Sequence, residues 1–192
     1  MLPTIQAELP LSIGSAPERL PNLTLYYRST PEQAEAAALD ELLRTSTELS
    51  LTGPQGNVHL GNKPAQQPLL LVAAGTGSAQ AFAMLDSLYT RAAQGQPHFF
   101  LQLAAEPDDF LRHADEAHWI EQGLGVLRIA DSNIGDNNRG LRWLREHAQE
   151  FCEHWILLSG APGFVYTAAD VLTEAGIELA QTHSDVYDYA PR

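Results

Sequence analysis

The residues best placed to do chemistry lie in the stretch Pro68-Leu-Leu-Leu-Val-Ala-Ala-Gly-Thr-Gly-Ser-Ala-Gln80, where an apolar run stops at small residues and a helical pattern follows from Ser78. Buried parallel strands read as continuous apolar runs of this kind. Small residues at the turn allow close approach of a ligand, and a helix N-terminus offers free N–H groups to a phosphate. A nucleotide is therefore expected at Ala74, Gly75, Thr76 and Gly77. A tight strand–helix turn that needs small residues for packing alone is the competing reading.

Other constellations are poorer. The seven histidines form no metal-ligand spacing, and His113 and His118, five apart, do not share one helical face. Ser159-Gly-Ala-Pro-Gly163 lacks the nucleophile-elbow pattern, so no hydrolase is assigned. Asp108 and Asp109 read as caps of a following helix. Arg28, Arg139, Arg142 and Arg145 are candidate phosphate partners, though solvated surface charge explains them more simply. The single cysteine, Cys152, excludes an intrachain disulfide and suits a reducing compartment.

With 24 acidic against 11 basic residues the net charge is −13, and Lys63 is the only lysine. Such a surface repels nucleic acid and anionic membranes, and both are excluded as partners. A nucleotide site must then be built from backbone amides and a few local arginines. No apolar stretch is long enough to span a bilayer. The opening Met-Leu-Pro-Thr-Ile-Gln has no basic n-region or apolar core, which makes the cytoplasm the expected location.

The elements that must position these residues fall into two parts. Residues 1–62 read as short strands at Leu11–Ile13, Leu23–Arg28, Leu49–Thr52 and Val58–Leu60, with a helix over Pro31–Leu43 and a turn at Gly53-Pro-Gln-Gly56. A polar stretch around Pro64 separates them from residues 66–192, where strand and helix alternate. Strands are expected near 69–73, 98–104, 124–130 and 155–159, and helices near 78–92, 108–121, 139–151 and 163–175. A last extended run covers 182–189. This alternation predicts an α/β fold with a five-stranded, parallel, doubly wound sheet, ligands binding at the carboxyl ends of its strands.

Read in order, the landmarks resemble the ferredoxin–NADP reductase superfamily, in particular its NAD(P)H:flavin oxidoreductase branch. Leu9-Pro-Leu-Ser-Ile-Gly-Ser-Ala-Pro17 is similar to the family's Arg-x-Tyr-Ser strand, and Leu23–Arg28 to the strand after it. Leu51-Thr-Gly-Pro-Gln-Gly-Asn57 resembles the turn closing the flavin barrel, and residues 73–77 the loop opening the pyridine-nucleotide domain. Leu157-Leu-Ser-Gly-Ala-Pro-Gly-Phe164 and Ser184-Asp-Val-Tyr-Asp-Tyr189 resemble two later segments, the last carrying an aromatic near the flavin. The resemblance implies a flavin against the Ser12 strand and against Tyr187 or Tyr189. It implies a dinucleotide across Gly75-Thr-Gly77 and Ser159-Gly160, with Ser12 and Ser159 nearest the hydride transfer.

The departures bear on function. Leu9 and Leu11 stand where the family has the arginine and tyrosine that hold flavin, Ser159 replaces a cysteine, Ala74 a glycine and Gln80 a frequent proline. Glu106 stands where many relatives carry an arginine that grips the nucleotide, which favours NADH over NADPH. The barrel strands that precede the Arg-x-Tyr-Ser strand fall before this chain starts, leaving a truncated barrel or sheet with exposed apolar surface. A homodimer completing it is the favoured remedy. Two functions follow as expectations. The first is an NAD(P)H-dependent oxidoreductase of flavin-reductase type, with FAD or FMN weakly held or absent. The second is a non-catalytic descendant acting as a nucleotide-binding or protein-interaction module.

Overall fold

The structure, a computed structural model, describes residues 11–28, 34–64, 66–91, 96–133, 135 and 137–192, with the side chains of 34–36 left out. Leu9 and the Pro31 start of the expected first helix lie outside the described residues. Strands β1 (Ser12–Ile13) and β2 (Leu25–Tyr26) pair antiparallel, with Ser12 opposite Tyr26. Helix α1 (Ala34–Thr45) follows. The expected strands at Leu49–Thr52 and Val58–Leu60 do not form, and a single 3-10 turn occupies Leu60–Asn62. Neither segment is paired into a ladder among the described residues, and isolated short strands are at best marginal.

The remainder is a five-stranded parallel sheet of β3 (Leu69–Ala74), β4 (Phe99–Ala104), β5 (Gly125–Ala130), β6 (Trp155–Ser159) and β7 (Thr182–His183), in the spatial order β5-β4-β3-β6-β7. The helices are α2 (Ser78–Thr90), α3 (Glu116–Glu121), α4 (Arg139–His147), α5 (Pro162–Glu174) and α6 (Val186–Tyr189). Period-two alternation along β3 sends Leu70 and Val72 to one face, against Leu144, Val165 and Leu172 of α4 and α5. Leu69, Leu71 and Ala73 go to the other, against Phe82 and Leu85 of α2 and against Trp119. A sheet covered on both faces needs apolar residues on both, which is why its central strands β3 and β6 read as apolar runs, while Gln102 of β4 and Arg128 of β5 satisfy each other by a hydrogen bond.

Two expected elements are corrected. The helix expected over 108–121 is a 3-10 turn at Pro107–Asp109 and then α3, with non-helical chain between. Leu111 and His113 of that link pack inward, His113 stacking on Trp119 at 4.5 Å and facing Phe82 at 5.5 Å. Asp108 and Asp109 make no side-chain cap; Asp109 instead faces Arg28 at 3.5 Å. The extended run expected over 182–189 stops at His183 and turns into α6. The tyrosines therefore do not alternate across a strand.

Residues 12–28 dock on α2. Asp86, 1% exposed, accepts from Ala16 N (3.2 Å) and from Arg19 Nη2 (2.5 Å), while the same arginine nitrogen reaches Asp115 at 2.5 Å. Arg91 pairs with Glu18, and the Tyr26 ring meets Phe82 at 6.1 Å. Burial pushes the Asp86 carboxyl up, but the hydrogen bonds from Arg19 and Ala16 and the Arg19 charge outweigh it and hold the group below its ordinary value.

Candidate functional site

The chain order of the sheet reverses between β3 and β6, because β3 connects outward to β4 on one side while β6 lies on the other. The crevice outside the carboxyl ends of strands at such a reversal is where open α/β sheets bind ligands. Here Ala73 is in register with Ser159, so the Gly75–Gly77 turn and the Ser159–Gly160 turn leave the sheet side by side.

The two turns touch. A Cβ built on Gly77 would lie 2.3 Å from the carbonyl oxygen of Ser159 and 2.6 Å from the nitrogen of Gly160. Gly77 is thus a close-approach glycine, as the packing reading requires. Gly75 differs: its φ is +57°, and nothing lies within 4 Å of the corresponding Cβ position. That side of the turn is open. Thr76 is partly exposed and its hydroxyl has no hydrogen-bond partner among the described residues. No side chain caps the turn, α2 or α5. By contrast, the N-terminus of α4 is filled: Asn138 Oδ1 accepts from Gly140 N at 2.8 Å, and Asp131 Oδ2 accepts from Arg139 N at 2.7 Å. The Asn133 and Arg139 backbone N–H groups hold the Asp131 carboxyl below its ordinary value.

Behind the two turns runs a chain of polar contacts absent from the sequence-based expectations. Ser159 Oγ donates to Gln80 Oε1 at 3.0 Å, and Gln80 Nε2 donates to Asp185 Oδ2 at 2.8 Å. Asp185 Oδ1 also accepts from Asn57 N and Val58 N, both at 3.0 Å. Gly56, at φ +113°, has the Asp185 carboxylate where a Cβ would go, 2.9 Å away. Four landmarks (the Gly-Pro-Gln-Gly turn, the start of α2, the end of β6 and the C-terminal segment) are thereby linked through the Asp185 carboxylate and the Gln80 amide.

The other expected residues are placed as follows. Ser12 is partly buried on β1, its hydroxyl without a hydrogen bond among the described residues; its strand abuts α2, where a Cβ built on Gly14 would lie 3.5 Å from that of Ala79. Tyr187 packs on Tyr166 at 5.7 Å and shares a hydrogen bond with Thr182, lining a surface cavity of about 440 Å³ together with Pro191 and Arg192. Tyr189 is 66% exposed. Neither tyrosine joins the polar chain; it is Asp185, one turn earlier, that does. Glu106 is exposed beyond the carboxyl end of β4.

This architecture has close counterparts among solved structures. The ferredoxin–NADP+ reductase of Plasmodium falciparum superposes with a TM-score of 0.70 at 14% identity, covering 91% of this chain and 75% of that one. The fold is that of the ferredoxin–NADP+ reductases. The cytochrome P450 reductase of Amycolatopsis shares it, with a TM-score of 0.66 at 17% identity over 85% of this chain and 51% of that one. In sequence, the chain is similar to terephthalate 1,2-dioxygenase reductase component 1 of Comamonas sp., with 24% identity over 190 aligned residues. That alignment covers 94% of this chain and 55% of the relative, so the chain spans about half the length of the curated proteins it matches. No family model matches the chain. No helix of the described residues is long and apolar enough to cross a membrane, and no group of His, Cys, Asp or Glu among them is arranged to hold a metal.

Proposed function

We propose that this chain is an NAD(P)H-dependent oxidoreductase of flavin-reductase type, carrying a dinucleotide-binding part at residues 66–192 and a flavin-side part at residues 1–62. The observation that carries the reading is the joint placement of the Gly75–Gly77 and Ser159–Gly160 turns at the sheet's reversal point, with the outer side of Gly75 open. That the curated relatives are reductase components supports the enzyme over a binding module.

The residues present suit a dinucleotide better than a flavin. The uncapped turn supplies N–H groups for a pyrophosphate without needing a cation, and the Thr76 hydroxyl is free to join them. Gly77 holds that turn against Ser159, a contact that supports a nicotinamide end beside Ser159–Gly160. Exposed Glu106 repels a 2′-phosphate, so NADH is preferred to NADPH. On the flavin side Ser12 offers a hydroxyl, but Leu11 offers neither charge nor aromatic face, which supports loose binding of FAD or FMN. A reduced nicotinamide supplies a hydride and a flavin accepts it; the task left to the chain is to hold the two in line and keep water away.

The second reading, a nucleotide-binding or interaction module without turnover, is supported by Leu11 on the flavin side and by exposed Glu106 at the nucleotide side. Of the large apolar residues exposed among those described, six of nine lie between Leu20 and Leu51, which supports a homodimer that covers them. A cytoplasmic setting completes the proposal, supported by the lone Cys152. The test is direct. The purified protein is inspected for flavin colour, and NADH absorbance is followed with FMN, FAD or riboflavin added. Oxidation of NADH above that of NADPH is expected. No colour, no oxidation and no melting shift with any of these ligands would sink the enzyme; a melting shift with dinucleotide alone would leave the module.

A further inference from the structure

The orientation of the Gln80 amide is set by its neighbours. A carboxylate accepts hydrogen bonds and donates none, and so does a backbone carbonyl. Asp185 Oδ2 at 2.8 Å and Val58 O at 3.4 Å therefore both require the NH2 end of the amide. Its oxygen is left facing Ser159, and an amide oxygen can only accept. The Ser159 hydroxyl proton is thus committed to Gln80 at 3.0 Å. The serine backbone cannot swing away to escape this, because its strand residue is in register with Ala73 and its carbonyl is pressed against Gly77.

We propose that Gln80 is a positioning residue that makes Ser159 a hydrogen-bond acceptor toward the bound ligand, so that the site selects a nicotinamide ring presenting the N–H of its carboxamide. The inference rests on the dinucleotide reading above. A serine hydroxyl is ordinarily indifferent, donating or accepting as the ligand requires. Here its proton is spent inside the protein, and only lone pairs are left for a ligand that reaches the hydroxyl of this 7% exposed serine. A ring substituent with a carbonyl but no N–H meets an acceptor with an acceptor. Asp185, in turn, is kept in place by the Asn57 and Val58 N–H groups, so the preference is wired to the Gly-Pro-Gln-Gly turn.

The test compares NAD+ with acetylpyridine adenine dinucleotide, which keeps the ring carbonyl and lacks the carboxamide N–H, by calorimetric titration of the full chain. The wild type is expected to bind NAD+ about fivefold to tenfold more tightly, the weight of one hydrogen bond made or left unmade. Gln80→Met, similar in length but unable to hold the hydroxyl proton, should bring the ratio close to one, chiefly by tightening the analogue. Ser159→Ala should also bring it close to one, and adding Gln80→Met to Ser159→Ala should change nothing further. Asp185→Asn, whose side chain accepts either end of the Gln80 amide, should lower the ratio while preserving packing, and it carries the test where Gln80→Met does not fold. General damage to the site would weaken both ligands together and leave the ratio intact. Equal binding of the two by the wild type, or an undiminished ratio in folded Gln80→Met or Asp185→Asn, overturns the inference and leaves the dinucleotide site standing. Absence of NAD+ binding by the wild type overturns both.

Discussion

Gly77 and Ser159 are in backbone contact: any side chain on the first would begin 2.3 Å from the carbonyl oxygen of the second. Neither partner of this contact is a flexible side chain, so the strain of an added methyl must be taken by moving the turn or the strand. Gly77→Ala is expected to cost about 1–3 kcal/mol, the usual range for forced overpacking. Gly75→Ala meets no neighbour and carries only the left-handed backbone penalty of about 1 kcal/mol. Urea denaturation of the two variants should rank them in that order. Dinucleotide affinity should fall in both.

The Arg19–Asp86 pair predicts an asymmetry. The Asp86 side chain is buried, whereas that of Arg19 is about half exposed. Removing the arginine strands a charge in the interior; neutralising the aspartate leaves an arginine that reaches water and Asp115. Arg19→Met is therefore expected to cost about 2–4 kcal/mol and Asp86→Asn about 1 kcal/mol. Hydrogen exchange at Gly14 and Thr24 should accelerate more in the first, since this pair ties residues 12–28 to α2.

The same pair sets an acid limb. Asp86 is held below its ordinary value in the folded chain, so its contribution is fully present above that value and is lost as pH falls through the lowered one. The stability difference between wild type and Asp86→Asn should be constant at neutral pH and shrink below about pH 4. Thermal melts across this range check it; a difference unchanged down to about pH 2 would contradict it.

His98 acts over a higher window. Burial foremost, then the Lys63 and His154 charges, pushes its imidazole down to about 4 from 6.5. Its Nδ1 accepts from Leu69 N at 3.1 Å, a bond only the neutral ring can make. The folded chain resists protonation, so stability is full above 6.5 and falls as pH drops from 6.5 to about 4, by about 3 kcal/mol in all. His98→Gln, which keeps an acceptor, should flatten this slope. An NMR titration of the His98 ring showing an ordinary midpoint would refute the assignment.

Exposed Leu20 and Leu51, 66% and 56% accessible, are the places to test assembly. Sedimentation of the wild type is expected to give a two-chain mass, and Leu20→Glu with Leu51→Glu a one-chain mass with unchanged secondary structure. A wild type that sediments as a monomer at high concentration would remove the homodimer from the proposal.

The parallel sheet was legible residue by residue because burial on both faces leaves apolar runs at 69–74, 99–104 and 155–159, broken within only at Gln102, whose amide is satisfied by Ser78, Leu111 O and Arg128. The short strands before residue 64 were not. Leu49–Thr52 has strand-forming residues but pairs with no strand among the described residues, and strand formation is a property of pairs. The stretch 182–189 failed for another reason: Tyr187 and Tyr189 alternate in sequence, yet Tyr187 gains more by packing on Tyr166 and bonding Thr182 than by continuing an edge strand.

By itself, then, the sequence determined the layered α/β architecture, the Gly-Thr-Gly turn and the order of landmarks shared with the ferredoxin–NADP+ reductase fold, because each is encoded in neighbouring residues. The tertiary structure alone decided what those landmarks do to one another. Gln80 and Asp185 are 105 positions apart, and Asn57 lies further still from Asp185. No local pattern announces such contacts; they exist because the sheet brings the ends of β3 and β6 together and the C-terminal segment folds back across them. That convergence fixes an amide, and the amide fixes which way one serine proton points.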